Sequence, residues 1–568
     1  MMIPHTALPD DPIFSRLLQL ATRRDGQVIV NDCSRGTQFG YGHILHGTLS
    51  LIQKLQRLLN RSTLDNRGGF YIAVLAPNGY EFIVAVLAAL ALGGVAVPMP
   101  TGALPAEAAH LLRQCGACCV LVGPEHVDLL TQIQNEVEIA SLIISGQVND
   151  VNKLLPVRSY TLDPGLAVPE DCPSILFYTS GTSGPPKGVL HARRTVNKYA
   201  RLEEMGPNDD ICIIPRGAFW SVYFTKLFQM LLTGVRVEIH NFGRNYDLIW
   251  EKLRERTGTG IVLSPTFWYG MMQFFQKHIS KLPESVVNQY VEGARYLRDA
   301  SATGAMPSSH VKQFWKDLRG GRPLKVQYGS TETQEISLCH EDSGSVEVRH
   351  AAGCASQGDL GTPFPNVTMK LSQGEEGEVL VKSPSLFLGY LNSPGSTASS
   401  LDSDGFFKTG DLAIRQNGRY IFKGRANMDL FKFYTYKVPR MEVESRLLAL
   451  PYVAEGYIMP VADPQCDTRV AALVRPRGRH GKIDLGTVRG HLSRHLPAYQ
   501  LPTVLRVLRA DEAVPRTWSD KTAMRQAVEM FFPRDAEERL CGEATEVMDV
   551  SGFMKMETEK LWDLSGMR

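Results

Sequence analysis

The sequence lacks a large excess of charge of either sign. Its 568 residues include 61 basic and 59 acidic side chains, which leave a formal net charge of +2. A protein that binds nucleic acid through the phosphate backbone usually presents a strong positive field. We therefore expect no nucleic acid among the partners of this protein.

Cysteine is also scarce, with ten residues in the whole chain. The one cluster, Cys115, Cys118 and Cys119, has no second cluster at a spacing typical of zinc sites. We interpret these three cysteines as reduced thiols in the core rather than as a metal or redox centre.

Long apolar runs are lacking as well. The most apolar stretch, residues 82–99, contains Gly93, Gly94 and Pro98, which are unfavourable in a continuous membrane-spanning helix. The stretch predicts a buried helix that leads into a buried strand, and no membrane span. Residues 1–12 show no basic region followed by an apolar segment, so we expect no secretory signal and a cytoplasmic location.

What the sequence does contain is typical of a folded protein of several domains, with 43% hydrophobic and 21% charged residues. Between about residues 25 and 425, apolar runs of strand length alternate with helical patterns, which predicts an α/β fold with buried parallel sheets. Within this part, 361–422 is rich in short strands with Asn417-Gly418 as a hairpin turn. A smaller α+β unit follows. We predict domains at 1–424 and 425–532 and a C-terminal tail at 533–568.

The strongest local signal is the glycine-rich and hydroxyl-rich run 177–188, which follows an apolar strand. Its backbone N–H groups and hydroxyls suit phosphate oxygens, and Lys187 adds a neutralising charge. It is not the Walker pattern, because no glycine precedes the lysine and no Ser or Thr follows it. The residues predicted to bind phosphate are Thr179, Ser180, Gly181, Thr182, Ser183, Gly184 and Lys187.

This run resembles the phosphate loop of the superfamily of acyl-CoA synthetases, nonribosomal-peptide adenylation domains and firefly luciferase. Further motifs follow in the family's order. Gly304 and Ala305 lie in a segment similar to the adenine-lining strand end, and the run 328–332 (YGSTE) is similar to the second signature. The resemblance implies that Tyr328 and Gly329 contact adenine, that Thr331 contacts the α-phosphate and that Glu332 binds Mg²⁺.

Three later positions complete the resemblance, which covers roughly residues 20–530. Asp411 lies in a turn similar to the family's ribose-binding turn, and Arg425 lies at the position of the junction between the two domains. Lys521 ends a loop similar to the one that carries the catalytic lysine, although Asp520 stands where the family usually has glycine. The implied catalytic residues are therefore Lys521, Thr331 and Glu332.

The resemblance implies a fold and a reaction. The fold is a large N-terminal AMP-binding domain of two parallel-sheet α/β subdomains plus a β-barrel-like subdomain, with a small mobile α+β C-terminal domain. The reaction is ATP-dependent activation of a carboxylic acid as an acyl-AMP, followed by transfer to coenzyme A, with ATP, Mg²⁺ and coenzyme A as cofactors. The small domain is expected to rotate between the two steps, which is a known type of hinge motion.

The acyl pocket departs from the family pattern. Arg216, Ala218, Phe219 and Trp220 fall near the expected pocket, with Ala218 at the position of a family histidine. Residues 217–223 include no acidic side chain that could bind a substrate ammonium, which favours an ordinary carboxylic acid over an amino acid. Arg216 could instead pair with a second carboxylate of a dicarboxylic acid, or could be a surface arginine.

One feature leaves alternatives open for the second step. Thr435 stands where the family has a glycine that lets pantetheine pass, so the acceptor could be coenzyme A or the phosphopantetheine of a carrier protein. From other classes, an inactive ATP-binding scaffold and an oxygenase similar to luciferase remain alternatives. Oxygen consumption would reveal the oxygenase.

Overall fold

A computed structural model describes residues 6–144, 154–179, 187–204, 210–215, 217–240, 242, 245–304, 306–307, 309–339, 358–425, 430–434, 436–477, 483–515, 524–535, 540–542 and 545–550. The statements below concern these residues.

The first part of the chain alternates strands and helices. Its strands are β1 (Ala7–Pro9), β2 (Val30–Asp32), β3 (Thr37–Phe39), β4 (Tyr71–Leu75), β5 (Val95–Pro98), β6 (Ala117–Val122), β7 (Ala140–Ile143), β8 (Thr161–Asp163), β9 (Pro173–Thr179) and β10 (Lys187–Ala192). Its helices are α1 (Pro12–Arg23), α2 (Tyr41–Leu58), α3 (Arg61–Asp65), α4 (Tyr80–Ala91), α5 (Pro105–Cys115), α6 (Val127–Gln134) and α7 (Arg194–Ala200).

The next part continues the alternation. Its strands are β11 (Ile211–Ile214), β12 (Arg236–Ile239), β13 (Gly260–Leu263), β14 (Asp299–Thr303), β15 (Lys325–Ser330) and β16 (Gln334–Cys339). Its helices are α8 (Ser221–Thr233), α9 (Tyr246–Arg254), α10 (Pro265–Lys277), α11 (Glu284–Tyr296) and α12 (Ser309–Leu318).

Strands dominate the rest of the chain. They are β17 (Thr362–Pro363), β18 (Thr368–Leu371), β19 (Glu376–Lys382), β20 (Gly389–Tyr390), β21 (Phe407–Gln416), β22 (Arg419–Arg425), β23 (Leu430–Phe433), β24 (Tyr436–Pro439), β25 (Val453–Asp463), β26 (Asp467–Pro476), β27 (Val504–Val507) and β28 (Thr545–Val547). The helices are α13 (Pro394–Ser399), α14 (Arg440–Leu448), α15 (Leu485–Leu492) and α16 (Met524–Phe531).

Two large sheets form the N-terminal part. One has the strand order β20-β10-β9-β5-β4-β6-β7, and its central strands from β9 to β7 are parallel. The other has the order β17-β16-β15-β14-β13-β11-β12-β2-β3, with parallel pairing from β15 to β2. Antiparallel strands lie at one margin of the first sheet and at both margins of the second. The predicted fold class, with two parallel-sheet subdomains, is confirmed.

The stretch 82–99 forms a buried helix and strand, as the sequence predicts. Every residue of α4 is buried, and β5 is buried along its length. The helix packs in the largest apolar core of the chain, between the two sheets. Within the described ranges no helix is both long enough and apolar enough to cross a membrane. Cys115, Cys118 and Cys119 are free thiols, in agreement with their interpretation as core residues.

An antiparallel sheet of four strands, β18-β19-β21-β22, forms the β-rich unit. Asn417 and Gly418 join β21 to β22 with φ values of 51° and 77°. Two consecutive positive φ values are typical of the type I′ hairpin turn that this dipeptide predicts.

The C-terminal part has its own sheet, with the order β24-β23-β26-β27-β28 and β25 paired to β26. Its helices cover a separate apolar core. Strand β28 pairs with β27, and the buried Val550 accepts a hydrogen bond from Tyr434 Oη at 2.8 Å. The sheet therefore continues past residue 532, into the segment that we predicted as a C-terminal tail. The boundaries 1–424, 425–532 and 533–568 stay predictions.

Candidate active site

A pocket with a cavity volume of about 220 Å³ opens where strands from both large sheets end. Thr179 ends β9 and Thr303 ends β14, while Tyr328 and Gly329 lie near the end of β15. All four residues line the pocket. Ligands of α/β proteins bind outside the carboxyl ends of parallel strands, so this position fits a substrate site.

The predicted phosphate loop begins and ends at one antiparallel pair. Thr179 of β9 lies opposite Lys187 of β10, and the Thr179 hydroxyl donates to the Lys187 carbonyl at 3.4 Å. Ser180, Gly181, Thr182, Ser183 and Gly184, named above as phosphate ligands, lie outside the described residues, as do Arg216, Ala305, Thr435 and Lys521. Their roles stay predictions.

Glu332 lies at the pocket with only 9% of its surface exposed. Tyr390 Oη donates a hydrogen bond to Glu332 Oε1 at 2.9 Å. Burial raises the pKa of Glu332, but the charge of Lys437 and several hydrogen bonds, including that from Tyr390, lower it below its ordinary value overall. The carboxylate is therefore ionised at neutral pH, and a hard anionic oxygen ligand of this kind fits Mg²⁺.

Tyr390 also approaches Lys187, the lysine predicted to bind phosphate. Lys187 Nζ lies 5.2 Å from the centroid of the Tyr390 ring, within cation–π distance. The ring and the hydroxyl of one tyrosine thus contact the predicted phosphate-binding and metal-binding residues. Sequence reasoning missed Tyr390, because no local pattern marks it and its two partners are distant in the chain.

Thr331 is positioned by a buried histidine that sequence reasoning also missed. His191 Nε2 lies 2.8 Å from the Thr331 carbonyl oxygen, and Gln334 Nε2 donates to the same oxygen at 2.9 Å. Burial lowers the pKa of His191 to about 4, so the imidazole is neutral at pH 7. Two donors thus orient the turn that presents Thr331 and Glu332 to the pocket.

The predicted adenine and ribose residues lie together. Tyr328 Oη donates to Asp411 Oδ2 at 2.9 Å. Asp411 is buried, and in the hairpin of β21 and β22 it pairs with Arg425. Gly304 lies at the same end of the pocket, after β14. An aromatic face beside a carboxylate can bind a nucleoside by stacking and by accepting hydrogen bonds from ribose hydroxyls.

A hairpin of the C-terminal part, β23 and β24, closes the other side of the pocket. Lys432, Tyr434 and Lys437 line it, and Lys432 Nζ donates a hydrogen bond to the Gly304 carbonyl. The sequence motifs place Lys521 at this site but do not indicate Lys432 or Lys437. Two ammonium groups of the C-terminal part therefore lie at the end of the pocket that is predicted to bind the nucleotide.

The predicted acyl-pocket residues divide between the pocket and the core. Phe219 and Trp220 line the pocket, with ring centroids 5.7 Å apart. Ala218 is buried, and its backbone N–H donates to Asn78 Oδ1, so it lies outside the lining of this pocket. Trp268, whose aromatic ring could have lined a cavity, is fully buried and donates to the Ser301 carbonyl at 3.0 Å.

Comparisons with known proteins agree with this geometry. The family model of AMP-binding enzymes matches residues 53–391. The chain belongs to this family. Acyl-CoA ligase oryP of Aspergillus oryzae is 44% identical over 553 residues, which cover 97% of this chain and 98% of that protein. A malonate–CoA ligase of Arabidopsis thaliana is 27% identical over 550 residues, covering 87% and 86%.

Solved structures share the fold. A malonyl-CoA ligase in a ternary product complex with methylmalonyl-CoA and AMP aligns with a TM-score of 0.64 and 24% identity, covering 86% of this chain and 96% of that one. The amide bond synthetase McbA of Marinactinospora thermotolerans aligns with a TM-score of 0.69 and 21% identity, covering 91% and 99%.

The predicted superfamily is thus confirmed, and so is the predicted class of enzyme. The protein is an ATP-dependent acyl-CoA ligase, which activates a carboxylic acid as an acyl-AMP and transfers the acyl group to coenzyme A. Its cofactors are ATP, Mg²⁺ and coenzyme A, and its partners are a small carboxylic acid and coenzyme A.

Proposed function

We propose that the pocket between the two sheets and the β23–β24 hairpin carries out both half-reactions on an acid with an apolar or aromatic body. The observation that supports this proposal most directly is that residues of three motifs, far apart in the sequence, lie close together at the pocket. Tyr328 and Asp411 bond to each other, and Glu332 and Lys187 share Tyr390. A nucleotide that contacts all of them lies across the ends of both sheets.

In the first half-reaction the substrate carboxylate attacks the α-phosphate of ATP, and pyrophosphate leaves. Catalysis of such a step depends mainly on positioning and on neutralising charge. Mg²⁺ bound through Glu332 would supply charge neutralisation on the phosphates. Thr331 contacts the α-phosphate, Lys521 bridges it to the attacking carboxylate, and the loop 179–184 with Lys187 binds the leaving phosphates.

Other residues of the proposed site bind the nucleoside. Tyr328 stacks on adenine together with the backbone of Gly304, Ala305 and Gly329, while Asp411 and Arg425 bind the ribose. In the second half-reaction the thiol of coenzyme A attacks the acyl carbonyl and AMP leaves. We propose that the small domain rotates about residues 425–429 between the steps, and that the β23–β24 hairpin faces the pocket during the second.

The acid class follows from the side chains at the acyl end. Phe177, Phe219, Trp220 and Tyr223 line the pocket, so an apolar or aromatic body can pack against several rings. The relatives named as malonate–CoA ligases are only distantly similar, at 27% identity or less, and their substrate does not transfer to this chain.

An acid-dependent exchange of pyrophosphate into ATP tests the proposal. We expect exchange with aliphatic or aromatic monocarboxylic acids, and formation of the corresponding acyl-CoA when coenzyme A is added, detected by mass spectrometry. Strong exchange only with free α-amino acids would contradict the proposed acid class. Thioester formation on a carrier protein but not on coenzyme A would favour the carrier-protein alternative.

The proposed assignment of Glu332 has a matched control. Glu332→Gln removes the charge at the proposed metal ligand, whereas Glu284→Gln makes the same change at an exposed position at the start of α11. We expect only Glu332→Gln to raise the Mg²⁺ concentration needed for half-maximal exchange. A cytoplasmic location is also proposed, and fluorescence of a tagged chain in cells would test it.

A further inference from the structure

Glu335 places a carboxylate in the acyl end of the pocket. It is the second residue of β16 and pairs with Gly329 of β15. Its half-buried side chain lines the pocket together with residues of α8. Through space its charge acts on Lys198 and Tyr199 of α7 and on Lys226 of α8. The carboxylate thus lies on the side of α7 and α8, where the aromatic acyl end is.

This carboxylate has no hydrogen bond or ion pair within the part of the chain that the structure describes. The two nearby lysines are bound elsewhere. Lys226 Nζ lies 3.4 Å from Asp299 Oδ2, and Lys198 Nζ donates to Ser385 Oγ at 3.1 Å. An ionised carboxylate can accept several hydrogen bonds, and leaving it without donors becomes costly once a bound acid displaces water from the pocket. Such a group is suited to accept a hydrogen bond from a bound ligand.

The charge around Glu335 determines which donor fits. The positive charges of Lys198 and Lys226 lie near the carboxylate and offset part of its attraction for a further ammonium, although neither lysine bonds to it. A neutral hydroxyl can donate to the carboxylate without bringing another charge. A second carboxylate would meet a like charge at short range and lose its own hydration.

We propose that Glu335 is a specificity residue that selects acids with a hydroxyl group on an apolar or aromatic body and rejects dicarboxylic acids. The inference rests on the proposed function, because it concerns the acid bound in the same pocket. It also argues against the dicarboxylic acid that Arg216 could otherwise bind, since a second substrate carboxylate is disfavoured.

The test compares matched acids in the pyrophosphate exchange assay. The probes are a medium-chain fatty acid and its ω-hydroxy derivative, phenylpropanoic acid and its para-hydroxy derivative, and malonate. A hydrogen bond to a charged acceptor corresponds to a factor of about ten to a hundred in kcat/KM. We expect the wild type to prefer at least one hydroxylated acid over its parent by a factor of this size.

Variants of Glu335 separate its charge from its packing. In Glu335→Gln the preference for the hydroxylated acid should fall towards one, and kcat/KM for malonate should rise relative to the parent acids. Glu335→Asp keeps the charge and should keep the discrimination against malonate. Glu284→Gln, the same change on the surface, should leave every ratio at its wild-type value.

The outcomes distinguish this inference from the proposed function. If the monoacids support exchange but Glu335→Gln does not alter the kcat/KM ratios between hydroxylated and parent acids or between malonate and parent acids, the proposed role of Glu335 is overturned. The proposed function is unaffected by that result. A preference of the wild type for malonate over the parent acids would also overturn the role of Glu335. Absence of exchange with every acid would contradict the proposed function, and this inference with it.

Discussion

Removal of one hydroxyl group, in Tyr390→Phe, probes how Glu332, the carboxylate proposed to bind Mg²⁺, is held. The phenylalanine ring can keep its place near Lys187, so the cation–π contact at 5.2 Å is preserved. Only the hydrogen bond to Glu332 Oε1, at 2.9 Å, is lost. The substitution therefore separates the two contacts of this tyrosine.

The expected loss of rate in Tyr390→Phe follows from the burial of Glu332. With 9% of the residue exposed, little water can replace the lost donor. A hydrogen bond to a charged group contributes about 1.5–3 kcal/mol, which corresponds to about ten- to a hundredfold in rate. Loss of this bond also raises the pKa of Glu332, because the bond stabilises the ionised form.

The assay is pyrophosphate exchange as a function of Mg²⁺ concentration and pH. We expect Tyr390→Phe to lower kcat/KM by about ten- to a hundredfold and to raise the Mg²⁺ requirement. The acid limb of the pH profile should move to higher pH, since Glu332 must be ionised to bind the metal.

A matched control is available in the C-terminal part. Tyr457 Oη donates to Glu455 Oε2 at 3.0 Å, and 41% of the Glu455 side chain is exposed. Tyr457→Phe removes the same kind of bond where solvent can replace it, and should leave exchange unchanged. If Tyr390→Phe matches wild type in rate, Mg²⁺ requirement and pH profile, Tyr390 does not position Glu332.

Three further predictions follow from other residues. Lys521→Ala should slow acyl-AMP formation about a hundred- to a thousandfold and leave CoA transfer from supplied acyl-AMP nearly intact. Asp411→Ala, in contrast, should slow both steps. If Lys521→Ala slows both steps equally, the proposed rotation is contradicted. Burial lowers the pKa of His191 to about 4, so below about pH 6.5 the unfolded chain binds a proton there that the folded chain does not. The free energy of unfolding therefore falls by on the order of 3 kcal/mol as the pH drops from about 6.5 to about 4. His191→Leu should flatten this part of the pH dependence in urea unfolding, and an unchanged slope would refute the assignment. Asp11→Ala should destabilise the fold by about 3–5 kcal/mol in the same assay, because it leaves the fully buried Arg193 without its carboxylate partner at 2.5 Å; Asp11→Ala together with Arg193→Met should recover part of the loss.

The strands of the two large sheets could be predicted because their signals are local. The apolar runs at 71–76 and 260–263 become β4 and β13, and the Asn417-Gly418 dipeptide becomes a hairpin turn. The order of strands within each sheet could not be predicted in this way. It depends on pairings between distant segments, such as β12 with β2.

Some residues of the candidate site could likewise be predicted from the sequence, and others could not. Glu332, Tyr328 and Asp411 could be named because motif residues carry their chemistry in their immediate sequence context. Tyr390 could not, because its role arises only when the turn at β20 approaches Glu332, 58 residues earlier in the chain. Aromatic residues were ambiguous for another reason, since Trp220 at the pocket and Trp268 in the core have equally apolar neighbours.

The hairpin of β21 and β22 contains an irregularity whose effect reaches Arg425, the predicted junction between the two domains. Ala413 pairs with Phe422, but Leu412 pairs with Gly424, so one residue of β22 is left over between them. Without that extra residue Asp411 would lie opposite Gly424, and Arg425 would be one place further on. A β-bulge changes the direction and the facing of every residue beyond it. The single extra residue therefore sets the phase of β22 up to its last residue, Arg425, and with it the direction in which the chain leaves the sheet.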